Sequence, residues 1–302
     1  GLSSSVQLGD RTRLSSSVSL VVGDAGRGEL LATSGSTIES GAASIGQFAG
    51  SIGLVTLSGN GTHWSNANLL TVGQAGSGEL RLSDGASLAS FAATVGQEGS
   101  GTGLLALGGA ATRMDITDTL ALGAGTAGGI GKLEVAGGAT VATGRLVLAQ
   151  QAGGTVGWLT ANLGARIAAD QFVLGLGGHG LVELFGGSVI DAGTTTLAKE
   201  AGSNGTLGLR DAGTRFTSSG PMMIGTSGAA FVQVAAGAQM QSPSGQMALV
   251  AGSSADVQVT GLGSLWQMQG DLDVGLGGQA LLKVASQGTV AVGGTTRIGA
   301  NG

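Results

Sequence analysis

Of the 302 residues, 62 are Gly, 2 are Pro and none is Cys or Tyr, which excludes collagen, with its Gly at every third position, and any disulfide or thiolate-metal framework. An apolar content of 42% against 10% charged residues supplies a core and argues against disorder, while no apolar run reaches the roughly 18–20 residues that span a bilayer. The 13 basic residues, few of them Lys, face 18 acidic ones for a net charge of −5, so nucleic acid is a poor partner.

In chain order the first landmark is an apolar residue followed by Gly: Val22-Gly23, Val72-Gly73, Leu122-Gly123, Leu174-Gly175, Ile224-Gly225 and Val274-Gly275. These glycines lie 50, 50, 52, 50 and 50 residues apart. A weaker copy falls between them at Ile45-Gly46, Val95-Gly96, Leu148-Ala149, Leu197-Ala198, Val250-Ala251 and Ile298-Gly299, so each unit divides into two halves of about 25 residues. Every half holds a short segment with apolar residues at alternate positions. Its first column reads Leu30, Val55, Leu80, Leu105, Leu133, Leu159, Val182, Leu207, Val232, Val257 and Leu282. The second, two residues on, reads Ala32, Leu57, Leu82, Leu107, Val135, Ala161, Leu184, Leu209, Val234, Val259 and Val284. The residues between these columns vary freely, which is the period-2 signature of a strand with one buried face. A third column of larger residues runs Leu14, Ile38, Trp64, Leu88, Met114, Val141, Ile167, Ile190, Phe216, Met240, Trp266 and Val290, after motifs such as Gly61-Thr62-His63-Trp64 and Gly213-Thr214-Arg215-Phe216.

Three short strands in about 25 residues, separated by Gly-rich corners, predict one coil of an all-β parallel β-helix (β-solenoid). Glycine supplies the positive φ of the corners, and the scarcity of Pro suits ladder strands that need every N–H. About 12 coils at ~4.8 Å make a rod on the order of 55–60 Å long, with no domain boundary in residues 1–302. Neither end shows a polar cap, so the chain reads as a segment of a longer array.

The stretches Trp64–Gly73 and Gly76–Leu88 resemble the passenger repeats of Gram-negative autotransporters, the AIDA-like group of type V secretion, whose repeats also occur in PEP-CTERM-linked surface proteins. The resemblance covers nearly the whole chain from about Gly9. It implies a right-handed β-helix that is secreted or displayed on the cell surface and is exported by an outer-membrane β-barrel elsewhere in the full-length protein. The departures are the missing barrel and the alanines at positions 149, 198 and 251, where the pattern has corner glycines.

Motifs of chemistry are sparse. Gly123-Ala124-Gly125-Thr126-Ala127-Gly128 fits GxGxxG, but no helix pattern follows and a Gly-rich chain produces such matches by chance. There is no P-loop, no GxSxG elbow and no aspartate-rich Gly nonapeptide. His63 and His179 stand coils apart, the first at a corner and the second in a Gly-rich loop, so no zinc site or triad forms around them. Asp271 and Asp273 are the sharpest enzymatic hint: with Leu272 and Val274 inward, both carboxylates project outward about 7 Å apart, as in a polysaccharide hydrolase. The neighbouring coils offer no basic cluster at matching positions, however, and the pair reads as a solvated face, as do Asp115 and Asp118. Asn60-Gly61-Thr62 and Asn204-Gly205-Thr206 match the glycosylation acceptor pattern and read as corner turns. Trp64 and Trp266 fall in the core column.

The leading expectation is therefore a non-enzymatic surface module, without cofactor or metal, acting as adhesin, self-association module or stalk. Its partners are a host or abiotic surface, or further copies of itself. The alternative is a β-helical polysaccharide-degrading enzyme, which needs a groove with converging acids. Ice binding needs a threonine column, whereas Thr194–Thr196 and Thr295–Thr296 are local. The candidate contact surface is the outward column Leu104, Lys132, Trp158, Leu181, Thr206, Phe231, in which Trp158, Leu181 and Phe231 form an apolar stripe within roughly 15 Å. The competing expectation is that the long loop around Gln150–Gly154 folds over that stripe.

Overall fold

The computed structural model describes residues 3–125 and 128–299. Every regular element among them is a β-strand, and all pairings are parallel. The strands stack into two continuous sheets, one of 12 strands from Ser3–Leu8 to Gln279–Ala285 and one of 16 segments starting at Arg13–Val22. Each strand pairs with its counterpart one coil away rather than with its chain neighbour, so the chain is a β-solenoid of 12 coils.

All three apolar columns are continuous rows in the structure. In the first sheet Leu30, Val55, Leu80 and Leu105 are direct partners, and the row continues to Val257 and Leu282. In the second, Ile38 pairs with Trp64, Trp64 with Leu88, and Phe216 with Met240. Ile38, Val55, Leu57, Trp64, Leu80, Leu105, Phe216 and Trp266 are all fully buried. Stacked like side chains thus fill one continuous tube among the described residues.

The second sheet bends. Upstream of Arg215 the bend lies within one long strand, as in His63–Val72, where the register shifts between Asn66 and Leu69. From Arg215 onward the strand separates into two, such as Arg215–Ser218 and Met222–Ile224, and the coil has three distinct strands. The bends there hold Ser219-Gly220-Pro221 and Ser242-Pro243-Ser244. Proline has no N–H to donate, which interrupts the ladder at these two bends, while the bends at Gln269-Gly270-Asp271 and Gly293-Gly294-Thr295 divide the strand without proline.

At the corner after each bent strand one residue is left-handed. The row runs Gly23, Gly46, Gly73, Gly96, Gly123, Ala149, Gly175, Ala198, Gly225, Ala248, Gly275 and Gly299, all with φ between 50° and 74°. The alanines at 149 and 198 thus hold the corner geometry despite the missing glycine. The third substitution is Ala248 (φ 50°), following Met247, and not Ala251 after Val250. Met247 is the residue that pairs with Ile224 and Val274, while Val250 is 45% exposed on the loop beyond. The Val-Ala dipeptide mimics the landmark in sequence only. The two halves are unequal in most repeats, as where Gly23 to Gly46 is 23 residues and Gly46 to Gly73 is 27, whereas the repeat from Gly123 to Gly175 divides at Ala149 into 26 and 26. Much of the difference sits in the corner loop, which spans residues 46–51 in the wide coil and 73–76 in the narrow one.

Two predictions follow from this packing. Leu207 is fully buried and Thr206 points outward, so Leu207→Asp should abolish cooperative folding, since it places an unpaired charge in the dry stack, whereas Thr206→Asp shifts the denaturation midpoint little. Equal losses would show that the two faces are interchanged. Relieving a left-handed alanine with Ala198→Gly should raise stability by about 1 kcal/mol in urea unfolding.

Candidate functional site

The outward face of the first sheet is built by the residues between the buried columns. Along it Leu104, Lys132, Trp158, Leu181, Thr206, Phe231 and Asp256 are successive direct partners, so the stripe lies on one row as the spacing requires. Trp158 is 36% exposed, and Leu181 and Phe231 are half-buried. The Lys132 ammonium lies 5.1 Å from the centre of the Trp158 ring, a cation–π contact between successive coils. Ile130 and Val156 stand in register in the adjoining outward row, two residues before Lys132 and Trp158 respectively, and widen the apolar area. The residues 151–154 of the long loop are themselves exposed, and Trp158 keeps its solvent contact beside them.

Downstream the same face dips into a groove of about 220 Å³ lined by Leu181, Glu183, Thr206, Gly208, Arg210, Phe231 and Gln233. Gly208 stands between Glu183 and Gln233 in its row, and its missing side chain makes the dip. Arg210 donates to Glu183 at 2.8 Å and lies 5.5 Å from the Phe185 ring.

The carboxylates that hinted at catalysis are tied to arginines. Arg297 is the direct partner of Asp273 on the next coil and donates to Asp271 at 2.9 Å and to Asp273 at 3.1 Å, so the neighbouring coil does supply a base at the matching position. The Thr295 amide donates to the second Asp271 oxygen at 2.8 Å, and this bond, with the guanidinium, holds Asp271 below the ordinary carboxylate value of 3.8. A general acid needs the opposite shift. Arg113 binds Asp115 at 2.5 Å, and Arg13–Glu39, Arg27–Glu29 and Arg81–Glu79 form further exposed pairs.

The remaining candidates disperse. His63 opens the strand His63–Val72 with Nδ1 2.9 Å from the Ser87 hydroxyl. His179 opens the strand His179–Leu184, rather than lying in a loop, and its Nδ1 is 2.9 Å from the Asn204 carboxamide. Asn60 is in a turn, but Asn204 begins a strand. Gly205 beside it is required by packing, because a Cβ there would lie 2.6 Å from the Leu174 carbonyl oxygen. In the GxGxxG match, Thr126 and Ala127 lie outside the described residues, and the next element is the strand Ile130–Ala136. Thr194 pairs with Gln171, so no threonine row crosses the coils there. Among the described residues no group of three or more His, Asp or Glu is placed to hold a metal.

Two sets of polar residues escaped the sequence reading. At the bend, inward Ser and Asn side chains form a chain in which the Trp64 indole donates to Ser40 (3.0 Å), Ser40 to Asn66 (2.7 Å) and Asn66 to Ser90 (2.9 Å). Trp266 repeats the first link to Ser242 at 3.3 Å. At the other corner the buried Thr62 hydroxyl donates to the Ser58 carbonyl and accepts from the Gly35 amide of the previous coil, and Thr112 does the same with Gly108 and Gly85. The signal was present in the Gly-Thr-x-large motif, whose Thr is the staple.

No family model, curated protein or solved structure matches the chain. The geometry of its faces is therefore what bears on function.

The Asp271 shift carries a pH dependence. A lowered folded value favours the ionised fold, so the contribution is present above 3.8 and is lost as pH falls through the folded value. Hydrogen exchange at the Thr295 amide, corrected for intrinsic rate, should quicken when pH is taken from neutral to well below 3.8, and Asp271→Ala should remove that dependence.

Proposed function

We propose that this chain is a non-enzymatic passenger segment of an autotransporter, displayed on or released from a Gram-negative cell, where it contacts a host or abiotic surface or further copies of itself. The observation that carries this reading is the stripe of Trp158, 36% exposed, with the half-buried Leu181 and Phe231 on a flat sheet face. Large apolar side chains grouped in water on a β-face mark contact surfaces far more often than isolated ones do. Several features support the reading further. The solenoid holds this face rigid over many coils, and the acids that a hydrolase would employ are paired with arginines. In the full-length protein an outer-membrane β-barrel exports the segment, as in the autotransporters that its repeats resemble.

Trp158→Ser combined with Phe231→Ser tests it. Both side chains point away from the core, so the melting temperature should stay within a few degrees of the parent. Self-association in sedimentation, or retention on cultured cells and hydrophobic beads, should fall several-fold. A double variant that unfolds would assign the stripe to packing, and one that binds as the parent does would remove this face from the function.

A further inference from the structure

The bend of the second sheet is concave outward and forms a groove along the rod axis. In the coils from Arg215 onward it reaches about 470 Å³ and is lined by Thr217, Ser219, Gln241, Pro243, Gln267 and Gln269 over a floor of Ser218 and Ser242. A second stretch of the same bend, about 340 Å³, lies upstream between Asp115 and Asp170. In the downstream groove Thr217, Gln241 and Gln267 are direct partners on successive coils and make one wall. Ser219, Pro243 and Gln269 stand two residues on and make the other. Gln267 and Gln269 are exposed, Gln241 is half-buried, and none of the three carboxamides has a hydrogen-bond partner among the described residues. The floor is fixed: Ser218 donates to the Gly220 carbonyl at 2.8 Å, and Ser242 accepts the Trp266 indole.

We propose that this groove binds a neutral oligosaccharide chain laid along the rod axis across three successive coils. The lining selects that chemistry. No charged side chain lines the groove, so an anionic polymer finds no counter-charge. A peptide strand finds little free backbone to pair with, because Met222, Gly245 and Gly270 already donate to Ser244, Asp271 and Pro243. A carboxamide presents both donors and an acceptor, which is what a sugar hydroxyl, itself donor and acceptor, requires. Gln241 and Gln267 repeat this group at the rung spacing of about 4.8 Å, so a chain of sugars meets an equivalent amide on two successive coils and the Thr217 hydroxyl on the coil before. The groove and the Trp158 stripe lie on different sheets, so the site stands or falls apart from the surface-contact reading.

Titration calorimetry of the whole chain with cellohexaose, maltohexaose and mannohexaose tests the site, with a galacturonate hexamer and a Ser/Gln-rich peptide as comparators. At least one neutral hexasaccharide should bind with an affinity unaffected by salt. Gln241→Ala with Gln267→Ala should weaken it about tenfold or more, the loss of two hydrogen bonds, without changing the melting temperature. Ser219→Trp, which fills the groove from an exposed position, should abolish binding, while Gln258→Ala on the other sheet leaves it intact. The proposal is overturned if no neutral hexasaccharide binds at millimolar concentration, if the double alanine and tryptophan variants bind as the parent does, or if the galacturonate or the peptide binds more tightly.

Discussion

The structure rests on how closely the backbone passes itself at one corner. A Cβ built on Gly73 would lie 2.1 Å from the Thr102 carbonyl oxygen, and one on Gly23 would lie 2.3 Å from that of Ile52. At those rungs only glycine lets one coil nest so closely against the next, while at positions 149, 198 and 248 the corner keeps its left-handed φ with an alanine Cβ in place. That nesting sets the in-register pairing of both sheets, and the pairing sets which side chains stack. Once the register is fixed, a single apolar column generates its neighbours, and the core follows without any long-range packing puzzle.

The inward glycine row answers to the same contact. Gly28, Gly53, Gly78 and Gly103 are direct partners, and a Cβ on Gly53 would lie 2.2 Å from the Val22 carbonyl oxygen. In the last coils the row becomes Ala230, Ala255 and Ala280, over the stretch in which the bent strand separates in two. The first divided coil still carries Gly205, so the larger residue enters one coil after the bend divides. Polar residues inside the tube serve the same economy of space: Ser, Thr and Asn are small enough for the bend, and they satisfy groups that the interrupted ladder leaves open.

Much of this was legible in the sequence because period-2 alternation and a fixed repeat length are local signals. Leu30 through Leu282, and Leu14 through Val290, align residue for residue with the pairing seen. The failures cluster where period 2 breaks. At Asn66–Leu69 the register shifts, so an inward Asn reads like any solvent-facing residue. Val250-Ala251 imitated a corner because the wide loop after Met247 carries its own apolar residue. Arg297 was overlooked opposite Asp273 because charge pairing across coils depends on a register that only the exact corner supplies. For the stripe, the row was readable but its exposure was not, since exposure depends on where the long loop after Ala149 travels.

The alternation of wide and narrow coils is broken in mid-chain, and the break has an evolutionary consequence. Duplicating 50 residues by unequal recombination adds one coil of each kind and leaves every corner with its accustomed neighbours. The coils that start at Gly96, Gly123 and Ala149, however, are 27, 26 and 26 residues long, so wide coils already stand side by side and the stack also accommodates a single added coil. Such a rod can lengthen by one coil or by two. Its reach can therefore change from lineage to lineage while the faces it presents keep their pattern.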